Sequence, residues 1–132
     1  KNMANPDIVD VATINAESVA FTLTATTTTT LLTVKADVVL KINSIHAAND
    51  DGTNDATIDL SVVKANFTSA GVSDFDTSGT FVIAKTIPVP ADTALSVLDK
   101  PIYLMESDVL KGGASAANDI DILISYEVIN DA

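Results

Sequence analysis

The chain has 132 residues, no cysteine, and 18 acidic against 7 basic side chains, which gives a formal net charge of −11. This length fits one domain with one modest core, residues 1–132, and the lack of cysteine excludes disulfides and thiolate metal sites. Because phosphate binding requires clustered Lys and Arg, the negative charge argues against nucleic acid and anionic membrane surfaces as partners.

Apolar and polar residues alternate with a period of two along most of the chain, which indicates strands rather than helices. The predicted strands, in chain order, are residues 7–14, 18–25, 30–34, 38–49, 56–65, 80–87, 93–99, 101–108 and 120–129. Three further segments are rich in turn formers and are predicted as turns or loops: residues 50–55, 66–79 and 111–119. The strands on either side of residues 50–55 are predicted to form a hairpin.

This pattern predicts an all-β protein, a single-domain antiparallel β-sandwich of about eight or nine short strands, either jelly-roll or immunoglobulin-like. The prolines agree with it. Pro88 and Pro90 lie at the end of one predicted strand, and Pro101 begins another. Proline cannot donate to a strand ladder, so these positions are expected at strand ends and sheet edges, where proline also blocks pairing between edges.

The alternation also predicts which side chains form the core. In the strand 38–49, one face carries Val38, Leu40, Ile42 and Ser44, while Val39 and Ile45 fall on the other. The predicted core residues are Val38, Leu40, Ile42, Ile58, Leu60, Val82, Leu95, Ile122, Ile124 and Tyr126.

Residues that could support catalysis are sparse. His46 is the only histidine, and no Gly-x-Ser-x-Gly elbow presents a nucleophile. We therefore interpret His46 as a structural or interface residue. Two carboxylate pairs, Glu106 with Asp108 and Asp119 with Asp121, are of the kind that a glycosidase needs, but the chain has no tryptophan to line a sugar subsite. We predict no enzymatic activity and no cofactor.

The segment NDDGTND, residues 49–55, is rich in oxygen ligands around a glycine. Its spacing does not match the calcium loop of an EF-hand, and acidic turns are common without metal. We predict a metal-free turn, and the alternative is a calcium site formed by Asp50, Asp51 and Asp55.

The segment from Ile42 to Ile129 resembles small virion structural proteins of tailed bacteriophages, especially marine and cyanobacterial ones. The ordered motifs are SI-x-x-AN-x-DGT, then VPA, then KPIYL followed by an acid and Asp, and finally SYE. They span about two thirds of the 132 residues.

This resemblance implies a virion structural protein, most directly a decoration or cement protein on the outer surface of the capsid. The alternative is a receptor- or glycan-binding module of a tail or fibre. The implied partners are further copies of the chain and the major capsid or other virion proteins. A virion location also agrees with the sequence, which has neither a signal-peptide pattern nor an apolar run of about 20 residues that could span a membrane. Residues 1–14 could act as an arm on a neighbouring subunit, and the alternatives are a loose terminus or an ordinary first strand.

Overall fold

A computed structural model describes residues 11–24, 29–66, 69, 71–72 and 78–130. These residues form nine β-strands: β1 (Thr13–Thr22), β2 (Thr29–Thr33), β3 (Val38–Asn49), β4 (Ala56–Lys64), β5 (Gly79–Val89), β6 (Ala94–Leu98), β7 (Ile102–Leu104), β8 (Val109–Ala114) and β9 (Ile120–Asn130). The described residues contain no helix, so the all-β class is confirmed.

The strands form two antiparallel sheets that share one hydrophobic core. Sheet A has the order β1-β9-β3-β6, with β7 also paired to β3, and sheet B has the order β2-β8-β4-β5. From β1 to β4 the chain alternates between the sheets, and the last strand, β9, lies between β1 and β3. This is the strand order of a jelly roll, and it decides between the two sandwich types that the sequence predicts.

The predicted hairpin between β3 and β4 is wrong. β3 pairs with β9, β6 and β7 in sheet A, whereas β4 pairs with β5 and β8 in sheet B. Residues 50–55 do form a turn, but this turn carries the chain from one sheet to the other. A local turn signal shows where a strand ends and does not show which strand it pairs with.

The prediction of a flexible turn at residues 111–119 is also wrong in its first half. Lys111 to Ala114 belong to β8, which lies between β2 and β4. The two glycines in this strand are buried, and a Cβ built on Gly112 would lie 2.8 Å from Leu31 Cδ1 and 2.9 Å from Leu60 Cδ2. Glycine is therefore used here because two core leucines pack directly against the backbone.

A β-bulge in β3 changes which side chains face the core. Ile42 pairs with Tyr126 and Ser44 with Ser125, so Asn43 is the extra residue on β3. The bulge moves Ile45 onto the buried face and takes Ser44 off it, so the predicted face assignment fails after Ile42.

The core prediction is confirmed for most of its residues. Those that are buried are Val38, Leu40, Ile42, Ile58, Leu60, Ile122 and Ile124. Leu95 and Tyr126 are partly buried and pack against this cluster. The prediction is wrong for Val82, because its side chain is 61% exposed. Two irregularities in the pairing of β4 with β5 place Val82 opposite Ser61 on the outer face, and Ala84 rather than Val82 faces the core.

The N-terminal arm stays a prediction. Residues 1–10 lie outside the described part of the chain. The last two residues of the predicted arm, Thr13 and Ile14, pair with Asn130 and Ile129 as the start of β1. Most of the predicted loop 66–79 likewise lies outside the described residues.

Candidate functional site

The acidic turn between β3 and β4 is organised around Asn49, which is 3% exposed. Its Nδ2 donates to the carbonyl oxygens of Asn54 (3.0 Å) and Val89 (2.9 Å), and its Oδ1 accepts from the backbone N–H of Asp51 (3.0 Å). The turn is thus tied to the end of β5. These contacts satisfy buried polar groups and give Asn49 a structural role.

Two of the three residues of the calcium alternative also hold backbone in place. Asp51 Oδ1 accepts from the N–H groups of Thr53 (2.8 Å) and Asn54 (3.2 Å), and Asp55 Oδ1 accepts from the N–H of Ala91 (3.0 Å). The hydrogen bond from Thr53, then those from Asn54, lower the pKa of Asp51 below 3.8. Among the described residues, no group of three or more His, Cys, Asp or Glu side chains could hold a metal ion, so Asp50, Asp51 and Asp55 are not brought together as ligands.

The first carboxylate pair is part of the scaffold. Asp108 is fully buried, forms an ion pair with Lys64 Nζ, and accepts from the backbone N–H groups of Ala65 (2.9 Å) and Met105 (2.8 Å). Glu106 accepts from the N–H of Asp37 at 2.7 Å. Each carboxylate is thus engaged by backbone N–H groups, and Asp108 joins the end of β4 to the turn before β8.

The second carboxylate pair and the histidine lie on sheet A and its turns. The Thr22 hydroxyl donates to Asp121 Oδ1 at 2.6 Å, and the backbone carbonyl of Asp119 accepts from the N–H of Asp50 at 3.0 Å. His46 is exposed on β3, opposite Leu123 of β9 and Ser96 of β6. The interpretation of His46 as a structural or interface residue stays a prediction.

A groove of about 310 Å³ opens between the two sheets where β1 passes β2. Its floor is apolar and includes Val34, Val38 and Leu40, and its polar lining includes Asn15 and Glu17. The pairing of β1 with β9 turns these two polar residues toward the inside of the sandwich, opposite Val128 and Tyr126. Polar side chains on an inward face mark a place where the sandwich is open to solvent.

Tyr126 is the aromatic side chain of this groove. Desolvation raises the pKa of its phenol above 10.0, and the hydrogen bond and negative charge of Glu17 raise it further. The phenol therefore stays protonated at neutral pH and acts as a hydrogen-bond donor beside a carboxylate. A groove with a neutral phenol, a carboxylate and an amide can bind polar groups but offers no activated nucleophile.

The most exposed apolar stretch described lies on β5, the edge strand of sheet B. Phe81, Val82 and Ile83 are consecutive, and their side chains are 49%, 61% and 44% exposed. The other large apolar side chains with high exposure are isolated from one another along the chain: Ile14, Val72, Tyr103 and Leu123. We call these three residues the β5 surface. Exposed apolar side chains along a sheet edge are typical of a surface that contacts another chain.

Sequence reasoning missed both the groove and the β5 surface. The signal for the groove is the position of Asn15 and Glu17 in the same alternation as Val19 and Phe21, which places polar side chains on an apolar face. The signal for the β5 surface is the unbroken apolar run from Phe81 to Ala84, which no alternation explains. None of the described residues belongs to a helix long and apolar enough to cross a membrane.

No protein-family model and no curated protein matches the sequence. Among solved structures, the chain is similar to one described as "Bacillus endospore appendages form a novel family of disulfide-linked pili", with 16% identity and a TM-score of 0.43 over 91% of this chain and 90% of that chain. It is also similar to VP2 of the infectious bursal disease virus subviral particle, with 12% identity and a TM-score of 0.44 over 92% of this chain. The aligned region spans 34% of the VP2 chain. Both are similarities between β-rich folds at low sequence identity.

Proposed function

We propose that the protein is a non-enzymatic structural component of a virus particle, a decoration protein on the outer surface of a tailed-phage capsid. The resemblance of Ile42 to Ile129 to virion structural proteins of such phages motivates the proposal. Jelly rolls occur in viral capsid proteins and also in lectins and cupins, so the fold is compatible with this role without specifying it.

The observation that carries the proposal is the exposed apolar stretch Phe81–Val82–Ile83 on the edge of sheet B. Within the described part of the chain this sheet edge pairs with no further strand. Three consecutive exposed apolar side chains at such an edge are an aggregation hazard for a free monomer and an asset for a subunit that assembles. An assembly protein therefore accounts for this stretch better than an enzyme does.

The polar residues support the same role. Asp51, Asp55 and Asp108 accept hydrogen bonds from backbone N–H groups, so these three carboxylates hold the backbone in place. The net charge of −11 favours a place outside the DNA-filled shell, and it keeps particles dispersed.

Particles that lack this protein provide the test. Purified protein is added to them, the particles are pelleted, and bound protein is measured against the major capsid protein. We expect saturable binding to capsids at a fixed ratio, with little binding to isolated tails. Saturable binding to tails alone would contradict the capsid assignment, and binding to neither would contradict a role as a virion structural protein.

The groove beside Tyr126 favours a second candidate function, recognition of a receptor glycan. Asn15, Glu17 and Tyr126 place hydrogen-bonding groups above an apolar floor, which is the composition that a small polar ligand requires. A glycan array with the wild-type protein and the Glu17→Gln variant tests it. Glycan-dependent binding that Glu17→Gln weakens would support this function, and no binding to any glycan would remove it.

A further inference from the structure

β5 consists of two halves that differ in their capacity to accept another strand. From Thr86 to Val89 the strand contains a residue with a φ of 53° and Pro88, and Pro90 follows its last residue. Asp59 Oδ1 accepts a hydrogen bond from the N–H of Thr86 at 2.6 Å. The pairing of β5 with β4 is irregular between Ile58, which lies opposite Ile87, and Ser61, which lies opposite Val82. Proline and bulges both block the addition of a strand.

The other half pairs with β4 without interruption, and its one positive φ, 133°, is at Gly79, the first residue of β5. Residues from Gly79 to Val82 pair in an unbroken register with residues from Lys64 to Ser61 of β4. Within the described part of the chain, the opposite edge of this half pairs with no strand. It therefore presents the outward N–H and C=O groups of an edge strand beside the exposed Phe81, Val82 and Ile83.

Charge limits which partner this edge can accept. The chain has 18 acidic residues, yet none lies between Asp76 and Asp92, and Lys85 is the only charged residue in that interval. Two copies of a chain with a charge of −11 repel each other, and they can approach closely only where carboxylates are absent. The β5 edge meets this condition.

We propose that two copies of this chain pair antiparallel through Gly79–Val82 of β5, about a two-fold axis at Phe81. This pairing joins two four-stranded sheets into one sheet of eight strands. The inference deepens the proposed function, on which it rests, because it identifies the self-contact through which copies of the decoration protein associate.

The two-fold register is self-complementary. Phe81 lies opposite Phe81 of the second copy and Thr80 lies opposite Val82, so each of these cross-strand pairs includes an apolar side chain. In this register the Lys85 residues of the two copies are eight residues apart along the paired strands. At the rise of an extended strand, this separation is about 26 Å. The register therefore brings no like charges together.

Sedimentation equilibrium of the purified protein tests the dimer, with Val82→Asp as the disrupting variant and Leu123→Asp as its matched control. Both sites are exposed apolar strand positions, but Leu123 lies on sheet A. At about 0.5 M salt, where the screening length is about 4 Å, we expect dimers for wild type and Leu123→Asp and monomers for Val82→Asp. A monomeric wild type, or a Val82→Asp variant that dimerises like wild type, would overturn the proposal.

A single introduced cysteine tests the register, because the natural chain has none. Residues directly opposite in antiparallel strands have Cα atoms about 4.5–5.5 Å apart, which suits a disulfide. Phe81→Cys should therefore form a covalent dimer on oxidation. Ile83→Cys should not, because its counterpart lies four residues along the strand, about 13 Å away. Efficient crosslinking at Cys in position 83 but not 81 would overturn this register.

These experiments use protein free of particles, so they separate the two proposals. A wild-type dimer that fails to bind capsids would contradict the decoration role and leave the β5 contact standing. A monomeric protein that binds capsids would contradict the β5 contact and leave the decoration role standing.

Discussion

Asp59 Oδ1 accepts a hydrogen bond of 2.6 Å from the backbone N–H of Thr86, and Thr86 has a φ of 53°. A β-branched residue rarely adopts a positive φ, because its side chain then crowds the backbone. The carboxylate of β4 therefore stabilises an unfavourable backbone conformation in β5. This contact keeps the second half of β5 irregular and leaves the first half paired with β4 without interruption.

Asp59→Ala should lower the free energy of unfolding by about 0.5–1.5 kcal/mol, since one hydrogen bond to a strained backbone group is lost. Asp59→Asn retains an oxygen acceptor and should retain most of that stability. Thermal and urea unfolding measure both variants. Asp99→Ala, which removes the same charge from an exposed position, is the control, and equal losses for Asp59→Ala and Asp99→Ala would contradict the role given to the hydrogen bond.

Gly112→Ala should destabilise the protein by about 1–3 kcal/mol, because an added methyl group overpacks a filled core. The new Cβ would meet Leu31 Cδ1 at 2.8 Å and Leu60 Cδ2 at 2.9 Å. Gly71→Ala is the matched control, since a Cβ at Gly71 meets nothing within 4 Å. Urea unfolding measures the difference, and equal stability of the two variants would contradict the overpacking.

Asp108→Asn should cost about 3–5 kcal/mol, because it leaves Lys64 without its buried counter-ion. The side chain of Asp108 is 1% exposed and that of Lys64 is 19% exposed. Asp121→Asn changes an exposed carboxylate and should alter stability by less than about 1 kcal/mol. If denaturant unfolding shows equal stability for Asp108→Asn and Asp121→Asn, the ion pair between Asp108 and Lys64 does not stabilise the fold.

Tyr126 should ionise only above pH 10.0, since burial and the carboxylate of Glu17 both raise its pKa. The raised pKa means that this group contributes stability that is complete below pH 10.0 and is lost as pH rises through its folded pKa. A Tyr103→Phe variant isolates Tyr126, because the chain has only two tyrosines. Near-ultraviolet absorbance follows the ionisation, and Glu17→Gln should lower the midpoint. An unchanged ionisation midpoint would show that Glu17 does not affect the pKa of Tyr126.

The sequence predicts best where local chemistry decides the structure. β3 has the predicted bounds, Val38–Asn49, because turn formers end it on both sides and apolar residues recur along its length. The acidic turn after it is also confirmed. The buried side of β9 follows from strict alternation of Ile120, Ile122 and Ile124.

Prediction fails where distant residues decide the structure. The exposure of Val82 depends on irregular pairing with β4, and the strand at Gly112 depends on leucines from β2 and β4. Alternation assumes an unbroken register, so each bulge reverses the faces beyond it. The groove and the β5 surface were missed for the same reason, because both depend on which strands are neighbours rather than on local pattern.

The central claim is that this jelly roll decorates the outside of a capsid, and cryo-electron microscopy of virions with and without the protein tests it most directly. We predict difference density in paired lobes, repeated regularly over the outer face of the capsid shell. Difference density confined to the tail or to the inner face of the shell would contradict the claim.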